Sequence, residues 1–120
     1  MEIDWSKISP ENFEKFCWHL LEVYQFKNLE WFGKGGKDRS RDVVGNRIFE
    51  PFPNFIEVHK WIVQCKRYIA KAPSVSDIAR TIEWAEADPP DYILFMITNV
   101  LSPDTRDWIN EKQKAKRFKI

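Results

Sequence analysis

The chain has 120 residues and a formal net charge of +1, and 43% of its residues are hydrophobic, including six Trp and nine Phe. This length suits one small domain with its own core, and the composition argues against a disordered chain. The longest apolar run, 92–97, is too short to cross a bilayer, and the N-terminus lacks the features of a signal peptide. We therefore expect a single cytoplasmic domain, 1–120, with no membrane span.

Ser9-Pro10-Glu11 predicts the start of the first helix, because it supplies a capping side chain, a proline at the first helical position and an acidic residue in the first turn. We predict that it runs to about Tyr24. Glu14 falls at the margin of its apolar face, although an ordinary exposed glutamate fits the spacing equally well. The apolar residues recur at spacings of three and four, which predicts a core-facing stripe of Phe13, Phe16, Cys17, Leu20, Leu21 and Tyr24.

Three strand-like segments follow, and we predict strands at 28–32, 42–49 and 59–68. The glycine-rich stretch at 33–36 matches neither the P-loop nor the GxGxxG pattern, so we interpret it as a turn. Residues 50–58 contain two prolines and several aromatics. We predict a long irregular excursion there, suited to a lid or a partner contact.

The second half of the chain alternates helices and strands. We predict a helix that begins at 73–77 and ends before Pro89, then a fully buried strand at 92–98. A third helix starts at Ser102 and runs to about Lys116. Phe118-Lys119-Ile120 resembles the opening of a final strand, so we expect the chain to be the front part of a longer protein. Strands joined by helical crossovers are parallel, and the element order predicts an α/β sandwich.

The two cysteines, Cys17 and Cys65, lie in apolar sequence, and neither belongs to a CxxC or Cys/His cluster. Such residues are more often reduced core side chains than parts of a disulfide or a zinc site. We therefore predict two buried, reduced thiols.

Polar residues interrupt the apolar run at 61–68. Gln64 and Lys66 are two residues apart, so in a strand they project to one face, which Ile62 shares. Burying an amide and an ammonium costs roughly several kcal/mol unless each finds a partner. Asp42 together with a divalent cation would supply such a partner. The pattern points to metal-dependent cleavage of nucleic acid.

Basic residues are segregated although the net charge is near neutral. They surround Asp42 and fill the last segment, whereas acids collect at 83–88 and Asp91, which would give one positive face. An ordinary mixed surface is the alternative, and we favour it for the last segment because Lys and Arg also suit a helix end. The residues expected to contact nucleic acid are Lys34, Lys37, Arg39, Arg41 and Arg67.

Three further residues are weaker candidates. Asp38 is a rival metal ligand, although an ordinary loop acid is the more frequent role. His19 and His59 are possible general bases, because histidine is a common acid–base side chain in enzymes. Neither has a fixed partner in the sequence, so we interpret both as structural.

Together the segments 12–16, 35–44 and 63–68 resemble the Mrr-type restriction endonuclease domain of the PD-(D/E)xK nuclease superfamily. The carrying motifs are Asn-Phe-Glu-Lys-Phe, then Gly-Gly-Lys-Asp-Arg-Ser-Arg-Asp-Val-Val, then Val-Gln-Cys-Lys-Arg-Tyr. Ile97-Thr98-Asn99 and the helix after Ser102 extend the resemblance over nearly the whole chain. It implies a restriction-endonuclease-like three-layer sandwich, with a central mixed sheet flanked by helices, and phosphodiester hydrolysis.

The resemblance also implies residue roles. Asp42 is the central metal ligand, Gln64 occupies a position that is Glu or Asp in most of the superfamily, and Lys66 is the catalytic lysine. The backbone carbonyl of Cys65 and the carboxylate of Glu14 complete the metal shell. Oxygen ligands suit Mg²⁺ or Mn²⁺, which would polarise the scissile phosphate and help make hydroxide, while Lys66 orients the water or neutralises developing charge.

Two departures from the family pattern bear on these roles. Gln64 carries no negative charge, which reduces the anionic ligands of the site. Ser40 and Arg41 precede the catalytic acid where relatives more often have apolar or glycine residues. Arg41 could act in one of two ways. It either contacts the substrate phosphate or forms a salt bridge with Asp42 and disables the site.

We therefore predict a DNA endonuclease domain that acts in restriction or anti-phage defence and is fused to, or partnered with, a sensing domain. No base-reading motif is present, so sequence specificity either belongs to that partner or does not exist. Cutting both strands would need two copies, which predicts a homo-oligomer on activation. An RNase or a junction nuclease is another possibility. A silent nuclease-like domain that only binds nucleic acid or protein is the alternative, with contact aromatics Trp31, Phe52, Phe55 and Trp61.

Overall fold

A computed structural model describes residues 4–32, 41–69, 72–87, 89–116 and 118–120. The described part is α/β, as the element pattern predicts. A short 3-10 helix precedes three α-helices and four strands, which are, in chain order, Trp5–Lys7, α1 (Pro10–Val23), β1 (Lys27–Phe32), β2 (Arg41–Phe52), β3 (Phe55–Lys66), α2 (Val75–Ala87), β4 (Tyr92–Ile97) and α3 (Pro103–Lys114). None of these helices is long and apolar enough to span a bilayer.

The four strands form one mixed sheet in the order β1-β2-β3-β4. β1, β2 and β3 are successively antiparallel, and β4 runs parallel to β3 after the crossover through α2. A parallel bridge joins Tyr92 to Lys119, so the end of the described chain lies beside β4 as a strand-like segment. The predicted mixed sheet and its helical crossover are confirmed.

The two faces of the sheet are covered by different helices. On one face, α1 packs Phe13, Cys17 and Leu21 against Val43, Val63 and Cys65. On the other face, Ile62 and Ile93 pack against α2 and α3, where the apolar contributors are Ile78, Ile82, Ala85, Trp108 and Ile109. The sheet therefore lies between two helical layers. Cys17 and Cys65 are both buried and form no disulfide, which confirms the prediction.

Local signals at the start of α1 work as expected, because the Ser9 side chain accepts a hydrogen bond from the Asn12 amide at 3.1 Å and Pro10 opens the helix. The predicted apolar stripe is partly wrong. Phe16 is 44% exposed and Tyr24 is 58% exposed. A helix turns about 100° per residue, which carries Phe16 away from the centre of the buried stripe, and Tyr24 caps the helix instead of lying within it.

The predicted irregular excursion at 50–58 is also wrong. β2 continues to Phe52, β3 begins at Phe55, and only Pro53 and Asn54 connect them. Asn54 takes a left-handed φ of 67°, which asparagine tolerates better than most residues. The pairing register shifts by one residue between Phe49 and Phe52, so β2 accommodates Pro51 in a bulge.

Beyond the sheet proper, β2 and β3 project together as a two-stranded hairpin. β1 pairs with β2 only as far as Asn46, and β4 begins to pair with β3 at Trp61. Among the described residues the ladder of 47–60 therefore has no flanking strand on either side. We call residues 47–60 the hairpin arm. At its base, the Lys60 amide donates to Asp91 Oδ2 at 2.8 Å.

Strand β4 differs from the prediction in its burial. Ile93 is buried, whereas the other five residues of β4 are partly exposed. β4 lies at one end of the strand order, and beyond it the described residues supply only the single bridge to Lys119. An edge position lowers burial even when the sequence is continuously apolar.

Candidate active site

The start of β2 and the end of β3 bring the sequence-predicted residues together. Asp42 lies directly opposite Gln64 in the antiparallel ladder, and Gln64 in turn lies opposite Phe95 of β4. Directly opposed positions in a sheet share a face, and so do positions two apart in one strand. Position 42, Gln64 and Lys66 therefore belong to the face that α2 and α3 cover.

Several predicted residues lie outside the described part of the chain. They are Lys34, Lys37, Asp38 and Arg39, and the predicted turn at 33–36 lies there too. For Arg41 and Asp42 the structure gives the backbone and the strand pairing but not the side chains.

Gln64 is a polar residue buried on the face of the sheet that α2 and α3 cover. Only 6% of its surface is exposed, and its side-chain oxygen Oε1 is buried with no hydrogen-bond donor among the described residues. A buried acceptor without a donor costs about 1–3 kcal/mol. Such an oxygen is well suited to coordinate a cation or to accept a hydrogen bond from a ligand.

Lys66 is partly exposed, and its ammonium lies over an aromatic ring. Nζ is 5.2 Å from the centroid of the Tyr68 ring, within the range of a cation–π contact. Tyr68 is itself fixed to the end of β4, because its amide donates to Thr98 Oγ1 at 2.8 Å and Thr98 Oγ1 donates to its carbonyl at 2.7 Å. Thr98 thereby anchors the ring that Lys66 contacts.

Asp77, at the start of α2, interacts electrostatically with Lys66. Burial raises the pKa of Asp77, but hydrogen bonds from the backbone and side chain of Ser74 and the positive charges of Lys66 and Arg80 lower it more, so the pKa lies below the ordinary value of 3.8. The Ser74 amide donates to Asp77 Oδ2 at 3.0 Å, and the Asp77 amide donates to Ser74 Oγ at 3.2 Å. This reciprocal cap keeps the carboxylate ionised near Lys66.

The sequence pattern alone assigns no role to Tyr68, Asp77 or Thr98 in positioning Lys66. A signal existed for Asp77, since Ser74 and Asp77 have the spacing of a reciprocal helix cap. Thr98 lies in the Ile97-Thr98-Asn99 segment that carries part of the family resemblance. Only the fold shows that both residues converge on the end of β3.

Glu14 is buried, with 3% of its surface exposed, and lies within the stripe of Phe13, Cys17 and Leu21. The expected marginal position is therefore wrong. The stripe is centred closer to Glu14 than the apolar spacing alone indicates, because the sheet covers this side of α1. A carboxylate so placed is costly unless other groups or a cation stabilise its charge.

The direction of α1 decides where Glu14 lies along the sheet. Before α1, the carbonyl of Trp5 accepts a hydrogen bond from Arg67 Nη1 at 3.4 Å, at the end of β3. After α1, the Phe26 ring packs edge-on against Trp61 at 5.2 Å, earlier in β3. α1 therefore runs antiparallel to β3, and Glu14 lies at the same end of the sheet as Gln64, although on the opposite face.

The remaining candidates have identifiable contacts elsewhere. Besides its bond to Trp5, Arg67 Nη1 lies 3.5 Å from the carbonyl oxygen of Ser6, so this guanidinium ties down the N-terminal segment. His19 Nδ1 is 3.1 Å from Glu22 Oε1 on the exposed side of α1. His59 Nε2 is 3.0 Å from Glu57 Oε2 in the hairpin arm.

Among the described side chains, no three or more His, Cys, Asp or Glu residues are arranged to hold a metal ion. The predicted ligand set includes Asp42, whose side chain lies outside the described part.

The sequence matches the Mrr_cat family of restriction endonuclease domains over residues 5–117. No match was found to a curated protein or to a solved structure. The matched region includes the whole sheet, all three α-helices and the facing positions 42 and 64. The chain belongs to the Mrr_cat restriction endonuclease family, which is a family of nucleases.

Proposed function

We propose that the chain is a metal-dependent endodeoxyribonuclease domain that hydrolyses phosphodiester bonds of DNA at the start of β2 and the end of β3. One observation carries the proposal: a buried amide oxygen without a described donor, on Gln64, lies opposite Asp42 and two residues before Lys66. A packing role does not explain the isolated acceptor on Gln64. A cation would satisfy it, and a phosphate bound to that cation would lie near the Lys66 ammonium.

The donor set suits a hard divalent cation. Asp42, Gln64 Oε1 and the backbone carbonyl of Cys65 would hold Mg²⁺ or Mn²⁺, both of which prefer oxygen ligands. Glu14 lies at the same end of the sheet but on its opposite face, so as the proposed further ligand it would have to reach the ion around the ends of β2 and β3. When bound, the ion supplies polarisation of the scissile phosphate and favours deprotonation of water. The buried Gln64 oxygen supports this fit, since it is a neutral oxygen ligand with no competing donor among the described residues.

Lys66 would act on the phosphate itself. The Lys66 side chain is only partly exposed, and a positive charge in such a setting would attract the charge that develops on phosphate oxygens during hydrolysis. Tyr68 and Asp77 would limit its rotamers, so less ordering is needed when DNA arrives. The proposed contacts to neighbouring phosphates come from Lys34, Lys37, Arg39 and Arg41. Arg67 would join them only if its guanidinium left the carbonyls of Trp5 and Ser6.

The biological role follows from the family and from what the sequence lacks. Restriction endonucleases act on DNA, and this chain has no base-reading motif. We propose that it is the effector of a restriction or anti-phage defence system in the cytoplasm. A fused or partner domain would supply recognition, and two copies would act together when both strands are cut.

The test is cleavage of supercoiled plasmid in Mg²⁺ and in Mn²⁺ by the native chain, Asp42→Asn and Lys66→Met. Matched controls are Glu111→Gln and Lys114→Met, which alter an exposed ion pair of 2.9 Å on α3. We expect metal-dependent nicking that each site substitution lowers by about 100-fold or more, whereas the controls stay within about twofold of native. Nicking that survives both site substitutions would reject the site.

Two additional readouts separate the alternatives. Native protein that binds DNA but cuts it in neither metal would favour the silent binding domain. Cleavage of RNA in preference to DNA would reassign the substrate. Calorimetric titration with Mn²⁺ tests the ligands without catalysis, and we expect weaker binding in Asp42→Asn and in Glu14→Gln.

A further inference from the structure

A cavity opens at the base of the hairpin arm, on the face of the sheet that α1 covers. Its volume is about 470 Å³, which is within the range of small-molecule pockets. We call it the arm-base cavity. None of its lining residues takes part in the proposed cleavage of DNA. Six of them carry the argument, namely Arg47, Phe49, Glu50, His59, Trp61 and Tyr92.

Strand pairing explains why these side chains meet. Arg47 lies opposite His59, and Trp61 lies opposite Tyr92. His59 and Trp61 are two residues apart in β3, so all four share one face, and Trp61 packs against the core under α1. Just after α1, the Phe26 ring packs edge-on against Trp61 at 5.2 Å. The arm-base cavity therefore lies beyond the C-terminal end of α1.

The rings of the cavity form a continuous row. Phe49 and His59 are stacked, with their centroids 5.5 Å apart and their planes 25° apart. His59 is 5.3 Å from Tyr92, and Tyr92 stacks on Trp61 at 4.3 Å with planes 15° apart. Phe49 is 51% exposed, so the row ends in a ring that a ligand can reach. Such rings suit a flat ligand, because nucleobases stack on aromatic side chains through their π-faces.

Two charged side chains flank the row of rings. The guanidinium carbon of Arg47 lies 5.8 Å from the centroid of the Phe26 ring, and Arg47 forms no salt bridge with a described residue. Guanidinium groups bind phosphate oxygens through paired hydrogen bonds. Glu50 is held in place because its Oε1 accepts a hydrogen bond from the Asn54 amide at 2.9 Å. A carboxylate is a suitable acceptor for the amino group of a nucleobase.

Charge and size distinguish a single nucleotide from other ligands. Arg47 and Glu50 balance each other, so the lining has no excess of positive charge when His59 is neutral. A nucleic acid strand is held by several cations along its phosphates, which this lining does not supply. A cationic ligand would fit an aromatic cage, but the guanidinium would repel it. One base and one phosphate match one row of rings and one guanidinium.

We propose that the arm-base cavity binds a free mononucleotide, with its base stacked on the row of rings and its phosphate on Arg47. His59 and Gln64 are five residues apart in β3, which corresponds to roughly 17 Å of strand. Gln64 and Lys66 also belong to the opposite face of the sheet. The nucleotide site is therefore separate from the candidate active site, and the proposal stands whether or not the chain cleaves DNA.

Calorimetric titration in EDTA tests the site with the 5′-monophosphates of adenosine, guanosine, cytidine and uridine. EDTA removes metal that would draw a nucleotide to the candidate active site. We expect at least one of the four to bind with a Kd below about 1 mM. Ribose 5-phosphate and the parent nucleoside should bind at least about tenfold more weakly, because each lacks one half of the ligand. A native protein that binds none of the four would overturn the proposal.

Substitutions locate the bound nucleotide. Phe49→Ala shortens the row of rings and Arg47→Gln removes the guanidinium. The matched controls are Phe52→Ala, at a 73% exposed ring of the same arm, and Arg106→Gln, on the exposed surface of α3. We expect each cavity substitution to raise Kd by about tenfold or more and each control to stay within about twofold of native. Binding that Lys66→Met weakens and Arg47→Gln does not would assign the nucleotide to the candidate active site and reject the cavity.

The two histidines give a readout that needs no substitution. His59 belongs to the row of rings, whereas His19 lies on the exposed side of α1, 3.1 Å from Glu22 Oε1. A base stacked on the row would shift the imidazole C–H signals of His59 in NMR spectra at constant pH. We expect saturable shifts for His59 and none for His19. Equal shifts, or no shift of His59, would show that the nucleotide binds elsewhere.

Two other probes test the chemical class of the ligand in the same spectra. A short single-stranded oligodeoxynucleotide represents a nucleic acid strand, and choline represents a cationic ligand. We expect both to shift the His59 signals only at concentrations at least about tenfold above those of the best mononucleotide. If either probe acts at a lower concentration than every mononucleotide, the cavity serves that class of ligand and the proposal is wrong.

Discussion

Replacing Gln64 by leucine tests the isolated amide without reference to cleavage. The two side chains are similar in size, and Gln64 is 6% exposed with Oε1 buried away from any described donor. An unsatisfied buried acceptor costs about 1–3 kcal/mol, and leucine removes that cost. We therefore expect Gln64→Leu to raise the free energy of unfolding by about 1–3 kcal/mol in EDTA while it weakens metal binding.

Gln113→Leu is the matched control, because its amide is fully engaged. Gln113 Nε2 donates to the Phe118 carbonyl at 2.6 Å, and the Ile120 amide donates to Gln113 Oε1 at 2.7 Å. The same substitution there leaves two backbone groups without partners. We expect it to lower the free energy of unfolding by about 1–3 kcal/mol, the opposite sign to Gln64→Leu.

The assay is urea and thermal unfolding in EDTA, repeated in Mg²⁺. For a chain of this size, 1 kcal/mol corresponds to a shift of about 3–5 °C in Tm. Added metal should stabilise native protein by mass action and stabilise Gln64→Leu less. If Gln64→Leu loses as much stability as Gln113→Leu in EDTA, the Gln64 amide is satisfied in the resting protein and its oxygen is not reserved for a ligand.

Two further predictions concern packing and charge. A Cβ on Gly45 would lie 2.6 Å from Leu29 Cδ2, so Gly45→Ala should cost about 1–2 kcal/mol in native protein and little in a Leu29→Ala background; equal costs in a double-mutant cycle would contradict the contact. The pKa of Asp77 lies below 3.8 in the folded chain, so its stabilising contribution is present above that pH and is lost as pH falls through the lower folded value. Asp77→Asn should reduce the loss of unfolding free energy at acid pH. Lys66→Met should raise the pKa of Asp77 in an NMR titration, and an unchanged pKa would show that the two side chains do not interact.

Elements with local signals could be predicted from the sequence. Ser9 and Ser102 both cap helices in the expected way, since capping depends on residues within one turn. The hairpin at 50–58 was mispredicted because prolines normally interrupt ladders. In the arm the ladder has no outer neighbour among the described residues. Pro51 lies in a bulge, where the ladder does not need the N–H that proline lacks. The partial exposure of β4 likewise depends on strand order, which local pattern does not encode.

In the candidate site, too, relations between residues close in sequence could be predicted, and those that depend on the fold could not. Strand alternation alone placed Gln64 and Lys66 on one face, because their relation is local. Asp77 and Thr98 approach Lys66 only through the crossover and the parallel pairing of β4, so no short window of sequence contains them together. The burial of Glu14 required knowing which side of α1 meets the sheet, and tertiary packing sets that rotation.

The turn at 53–54 has a consequence far from its own position. The ladder keeps one register from Arg41 opposite Cys65 to Phe49 opposite Glu57, so the count of residues around the turn fixes which side chain Asp42 meets. A slip by one residue would replace Gln64 opposite Asp42 by a neighbour that points to the α1 face. Loop length at one end of this hairpin therefore determines the chemistry at the other, and a homologue with one inserted turn residue needs a compensating change in the bulge to keep its acid and amide aligned.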